Sequence, residues 1–276
     1  MRHSLSVFNP LLGVNIVREH RDLLVQMLLR GIASRYRGSA LGFIWSFAHP
    51  LVMLGVYTFV FGIVFKARWG VDVLEGNRAA FPLIMFCGMA VFNIFSESVN
   101  ASTGAVVGNP SYVKKVVFPL ELLPICNVLT GMVFGMAWFA LLLVGMLVFF
   151  HYIPPTVFLL PLILVPLLFF TAGISFFTAS LGVYLRDMQQ LVGIITQILF
   201  FMTPIFYPIA VVPERLRWVL RLNPLSSLVE QARQVVLYGQ LPDLAHFLLL
   251  LAVSLLVFQF GLAWFVKTKK GFADVM

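Results

Sequence analysis

Residues 191–242 read LVGIITQILFFMTPIFYPIAVVPERLRWVLRLNPLSSLVEQARQVVLYGQLP. The opening run, Leu191 to Met202, is apolar throughout, yet as a helix it covers only about 18 Å of a hydrocarbon core about 30 Å thick. Pro204 and Pro208 then break it at Thr203-Pro204-Ile205-Phe206-Tyr207-Pro208. The remainder is too charged to lie in lipid and too apolar to float in water, so it lines or closes something. Pro213 predicts a helix with Leu216, Val219 and Leu220 on its apolar face, and Asn223-Pro224 predicts a turn. Ser227-Leu228-Val229-Glu230 reads as a capping box opening a second helix, whose apolar side is Leu228, Val229, Ala232, Val235 and Val236. Gly239 and Pro242 end it. Two short amphipathic helices at the outer end of a broken span form a re-entrant hairpin or an interfacial lid, over about residues 204–242.

The rest of the chain sets this stretch in a membrane. Of 276 residues, 61% are hydrophobic and 11% charged, and the mean hydropathy is +0.97. A soluble domain carries about a quarter charged residues. The apolar runs are continuous, without the alternation a barrel strand needs, so the fold class is an all-α polytopic membrane protein. No secretory signal is visible in the first dozen residues, and the first membrane helix serves as the insertion signal. Cys87 and Cys126 lie inside apolar segments and read as packing residues. The net charge of +8 points to cytoplasmic loops rather than to nucleic acid.

In chain order, residues 1–38 form a cytoplasmic region whose Ile16–Ile32 stretch has helical apolar spacing, an amphipathic helix on the membrane surface. Residues 39–276 form the membrane domain. Its expected helices run Ser39 to Phe65 with a kink at Pro50, Phe81 to Val107, Leu120 to Phe150, Thr156 to Leu185, the broken fifth span, and Leu244 to Val266. Six spans place both termini on one side. Twelve Lys and Arg fall on that side and seven on the other, so the termini are expected in the cytoplasm.

The chemistry-bearing motifs are few. There is no G-x-x-x-x-G-K-[ST] and no metal or catalytic spacing, so no covalent chemistry and no bound cofactor is expected. Intramembrane charge is scarce. Glu97 is the main candidate, toward the cytoplasmic end of a second helix that also carries Asn93, Ser96, Ser98, Asn100, Ser102 and Thr103, and interhelical bonding is its plainest role. That scarcity disfavours an ion-coupled carrier and favours energy supplied from outside the chain. Helix one carries Phe43, Phe47, Tyr57, Phe61 and Phe65 near one face. Helix five carries Thr196, Phe200, Thr203 and Tyr207. Rings stack on the apolar faces of sugars and hydroxyls exchange hydrogen bonds with them, so these stripes suit a glycan path, while packing and belt roles account for many membrane aromatics. Arg35 and Arg37, where the surface helix meets helix one, suit a diphosphate headgroup as well as plain anchoring.

Taken together, Arg35-Tyr36-Arg37-Gly38-Ser39-Ala40-Leu41-Gly42 leading to Trp45 and His49-Pro50, then Asn109-Pro110 to Phe118-Pro119, then TPIFYP with Asn223-Pro224 downstream, resemble the membrane subunit of ABC-2 type exporters. The resemblance is to the polysaccharide branch (O-antigen, capsule and teichoic acid permeases) and covers nearly the whole chain. It implies a homodimer of six-helix subunits in the inner membrane. Two separate ATPase subunits would use ATP and Mg to move a polyprenyl-diphosphate-linked glycan between the permeases. It further implies that Ile16–Arg37 and Asn109–Val117 contact the ATPase, with Arg18, Arg21, Asn109, Tyr112, Lys114 and Lys115 as coupling residues. Helices one and five line the path. The hairpin is its outer gate, with Pro204, Pro208, Trp218, Asn223 and Pro224 shaping it. A teichoic acid exporter and an exporter of small hydrophobic drugs or lipids are the alternatives.

Overall fold

The computed structural model describes residues 12–35, 37–65, 80–114 and 118–276, and for Leu12 the backbone alone. Among these residues all regular structure is helical. Two helices, α1 (Leu12–Glu19) and α2 (Arg21–Arg35), precede a 3₁₀ turn at Gly42–Ile44 and α3 (Trp45–Tyr57), which runs on as a π-helix over Thr58–Val64. Then come α4 (Ala80–Thr103), the short α5 (Pro110–Val113), α6 (Leu122–Phe150), α7 (Leu160–Tyr184) and α8 (Met188–Met202). The chain closes with α9 (Glu214–Leu222), α10 (Pro224–Val236), α11 (Leu244–Thr268) and α12 (Phe272–Val275).

Among the described residues, five runs are long and apolar enough to cross a membrane: Gly42–Val64, Ala80–Thr103, Leu122–Phe150, Pro155–Tyr184 and Leu244–Val275. They are not equivalent. In its most apolar stretch α4 has 78% of its residues buried inside the molecule, whereas the α3 run has 6%. The central helix is therefore the one with the polar second half. Its Ser98, Ser102 and Thr103 are fully buried, which lets neighbouring backbones approach. A Cβ on Gly131 of α6 would fall 2.2 Å from the Ser98 hydroxyl, and one on Gly182 of α7 would fall 2.1 Å from the Thr103 carbonyl. Small residues make such contacts where the hydrophobic effect cannot drive helices together. The most extensive helix pair, α7 with α11, obeys the same rule. Gly173 and Gly261 meet so closely that a Cβ on Gly261 would lie 2.0 Å from the Gly173 carbonyl oxygen.

Two buried clusters mark the two ends of the bundle. One joins Leu24 of α2, Leu122 and Ile125 of α6, Phe176 of α7, Phe265 of α11 and Phe272 of α12, so the described N- and C-terminal segments share an end. A buried Glu121 ion-paired with Lys269 fastens the approach to α6 onto the tail there. The other cluster gathers the first half of α4, the start of α7, the start of α11 and α10.

The elements follow the expected order, with local differences. The surface helix is interrupted at His20, although backbone bonds bridge the break (His20 to Ile16, 3.1 Å; Leu24 to His20, 2.9 Å), and α2 packs against α6 rather than standing alone. In the first span the departure from α geometry lies at Thr58, where the π-helix begins, while Pro50 is buried within α3. The second helix stops at Thr103, four residues early, and turns to Gly108. The capping box is corrected: Ser227 is inside α10, whose N-cap is Asn223, accepting from the Leu225 amide at 3.0 Å with Pro224 at the first helical position. An Asn cap followed by proline starts a helix earlier than Ser227 can.

The close Gly173–Gly261 crossing has a measurable consequence. Gly261→Leu should destabilise the purified protein by about 1–3 kcal/mol or more through overpacking. Gly193→Ala, whose Cβ finds nothing nearer than 3.9 Å, should not. Thermal unfolding in detergent compares the two.

Candidate functional site

The site follows from how α8 lies along α4. Gln189 packs on Gly104, Asn100 donates to the Thr196 hydroxyl at 3.2 Å, and Phe200 and Phe92 have ring centroids 5.1 Å apart. Ile205 reaches Gly88 near the start of α4. Fifteen helical residues cover about 22 Å. Beyond Met202 the chain is non-helical: Thr203 leaves the helix with ψ 135°, and the backbone bends through residues 203–207, the Ile205 amide donating to the Thr203 carbonyl at 2.7 Å. Such backbone leaves its other carbonyls without helical partners.

Those carbonyls are met by a residue the sequence reading did not single out. Arg233, on α10, is 0% exposed. Its Nη1 donates to the Pro204 carbonyl at 2.8 Å, its Nη2 to the Ile205 carbonyl at 3.1 Å and its Nε to the Ile84 carbonyl of α4 at 3.2 Å. Glu230, one turn earlier, balances the charge at 3.6 Å. Gly88 makes the space, since a Cβ there would sit 2.8 Å from Nη2. A sequence signal existed: an arginine among Ala232, Val235 and Val236 on a helix is costly unless bound. Thr203 and Asn223 add a second tie, the Asn223 amide donating to the Thr203 hydroxyl at 3.1 Å.

Between α3 and α8, along α4, runs a groove of two adjoining cavities of about 280 and 290 Å³. His49, Asn93 and Trp138 line both. One end is charged. Arg35 pairs with Glu97 and lies over the Phe134 ring, 4.1 Å from its centroid, a cation–π contact. The other end is aromatic and amphipathic, with Tyr57, Phe92, Thr196, Gln197 and Phe200. A separate crevice of about 620 Å³ between α7 and α8 is almost wholly apolar, lined by residues such as Phe177, Leu181, Ile195 and Leu199, and closed at one end by Leu222–Leu225.

The predicted path residues divide. Tyr57, Phe61 and Phe200 converge on Phe206, at 5.2, 4.7 and 5.1 Å between centroids. Phe206, between the two prolines, is the missed centre of the cluster. Phe65 continues the row from Phe61 at 5.8 Å, and Phe43 and Phe47 pair edge to face at 5.6 Å. Thr203 is set apart: it is fully buried and its hydroxyl is engaged with Leu199 and Asn223. Tyr207 donates to the Phe201 carbonyl at 2.9 Å.

The hairpin residues also separate by burial. Pro204 is buried, Pro208, Asn223 and Pro224 are half-buried, and Trp218 is exposed. Arg217 is not a plain surface charge, because it staples the connecting loop through the Val212 and Ala210 carbonyls at 2.8 and 2.7 Å. At the opposite end α2 and α5 join one cluster, through Leu24 and Tyr112, and Tyr112 stacks on Phe118 at 4.2 Å. Asn109 precedes Pro110 of α5 and donates to the Ala105 carbonyl at 2.9 Å. Arg18, Arg21, Arg37 and Lys114 are exposed there, whereas Lys115 lies outside the described residues.

Residues 22–237 match the family described as ABC-2 type transporter. The chain belongs to the ABC-2 type transporter family. Its relatives include the O-antigen export system permease protein RfbA of Myxococcus xanthus, 29% identical, the match covering 95% of this chain and 99% of that one. A Klebsiella pneumoniae protein of the same name is 28% identical, over 92% and 95%. The polysialic acid transport protein KpsM of Escherichia coli is 27% identical, over 86% and 90%. In this ABC-2 chain the family match includes the groove and both hairpin helices.

The corrected cap is testable. Asn223→Ala should cost about 1–2 kcal/mol, losing the Leu225 cap and the Thr203 bond. Ser227→Ala should stay within about 0.5 kcal/mol. Denaturation of the purified protein measures both.

Proposed function

We propose that this chain is the permease subunit of an ATP-driven exporter that carries polyprenyl-diphosphate-linked polysaccharide, of the O-antigen class, out of the cytoplasm across the inner membrane. The observation that carries the reading is the groove along α4, charged at one end and aromatic at the other. It lies in a chain whose relatives over nearly full length are named O-antigen export permeases. A lipid-linked glycan has the matching order of parts: an anionic diphosphate, then sugars with apolar faces and hydroxyls. Arg35 and Arg37 receive the diphosphate, Arg35 through guanidinium donors beyond those it gives Glu97. Tyr57 and Phe200, which line the aromatic end, present rings to the sugars, and Phe61 and Phe206 back them.

The finer architecture belongs to the same proposal. Six crossings result if α8 and its non-helical continuation count as the fifth, with α9 and α10 as a re-entrant gate. The nearly unburied α3 face is left for a second copy and for lipid, so the exporter is a homodimer. Two ATPase subunits dock where α1, α2 and α5 meet, at Arg18, Arg21, Asn109, Tyr112, Lys114 and Lys115, and supply ATP and Mg chemistry. That end faces the cytoplasm, in keeping with its excess of Lys and Arg.

Deleting the chain in its host should leave lipid-linked glycan inside the cell, and normal surface glycan, with no paralogue present, would defeat the reading. The Arg35→Gln/Arg37→Gln variant should insert normally but bind lipid-linked substrate at least tenfold more weakly. Charge reversal at Lys114 and Lys115 should reduce co-purification of the ATPase; unchanged association and transport would remove these lysines from the interface.

A further inference from the structure

We infer that Arg233 is a positioning residue that makes the broken end of α8, the α9–α10 hairpin and α4 one body, so that the gate goes where α4 goes. This rests on the export reading only for the word gate.

The guanidinium touches three separate pieces of chain. It sits on α10, binds Pro204 and Ile205 in the non-helical break, and binds Ile84 on α4. Its five donors form a rigid planar fork that fixes relative orientation as well as distance, which an ammonium cannot do. The surroundings hold it in place. Gly88 opens exactly one side-chain volume for it, Glu230 balances its charge, and Val229 closes over Gly88, 3.2 Å from where a Cβ would be. The Thr203–Asn223 bond ties the same break to the turn between α9 and α10. A hairpin held this way does not swing as an independent flap. At its other end α4 is pinned to α2 by the Glu97–Arg35 pair and to α8 by Asn100–Thr196. One rigid helix of 24 residues, about 36 Å long, therefore runs from the α2 end to the gate. Coupling needs a physical element that both sites bias, and α4 with an arginine at each end is one.

The experiment compares the full-length chain, assembled with its ATPase, as wild type, Gly88→Ala, Arg233→Lys and Gly88→Ala/Arg233→Lys. Deuterium uptake over residues 203–207 is read on the purified protein. Spin labels at Ala101→Cys on α4 and Leu222→Cys on α9, with Cys87 and Cys126 replaced by Ala, are carried by one protomer beside a cysteine-free second copy and report the distance within that protomer with and without trapped nucleotide. Wild type should give one narrow distance unchanged by nucleotide. Each single variant should raise uptake over 203–207 several-fold and broaden the distance, while ATP hydrolysis persists and export falls at least tenfold. The double variant should recover part of the export, because lysine vacates the space the alanine Cβ needs. A wild-type distance that shifts with nucleotide would show the hairpin moving by itself and overturn the inference. So would strictly additive losses in the double variant, or full export by Arg233→Lys despite faster exchange. If wild type exports no glycan, the export reading fails alone, and the exchange and distance measurements still decide the role of Arg233.

Discussion

Non-helical backbone shut away from water is tolerated only where another group satisfies it, and in the break after α8 the Arg233 guanidinium does so. Pro204 cannot continue α8, and the carbonyls beyond Thr203 point away from any helical donor. Leaving a buried carbonyl unpaired costs about 1–3 kcal/mol each. Arg233 answers two of them at once, and Glu230 offsets the burial of its charge. The hairpin is therefore part of the core rather than an appendage, which explains why most of α10 is buried while α9 keeps Leu216, Trp218 and Leu222 exposed.

The same constraint explains why α4 is central. A helix carrying Asn93, Ser96, Glu97, Ser98, Asn100, Ser102 and Thr103 cannot face lipid, so it must be surrounded. Its small polar residues let α6 and α7 approach closely at Gly131 and Gly182, and its larger ones reach α2 and α8. The α3 run, whose polar side chains are fewer (Ser46, His49, Tyr57 and Thr58), stays at the periphery.

The periodicity of apolar residues and the prolines gave the helical runs to within a few residues, since run length and chain breaks are local properties. The polar half of α4 announced its interior position for the same reason. What escaped were contacts between segments distant in sequence. Arg233 looked like one more arginine on an amphipathic helix, because its partners are 28, 29 and 149 residues away. Phe206 was passed over for the regular stripe of helix five, since its role arises from the break that removes it from that stripe. Thr203 was assigned to the stripe by spacing, yet the break at Pro204 turns it inward onto Asn223. Ser227 satisfied a capping pattern that Asn223 and Pro224 had already pre-empted.

Glu97, Glu121 and Glu230 each face a cation brought by another segment or turn: Arg35, Lys269 and Arg233. Breaking such a pair strands a charge, at a cost of about 3–5 kcal/mol where burial is deep, so these carboxylates act as struts. A coupling ion in a secondary carrier needs acids whose partner is the ion itself. Here the acid of α4 is already committed to the α2 arginine. The same pair therefore both disfavours ion coupling and joins the α2 end of the molecule to its central helix.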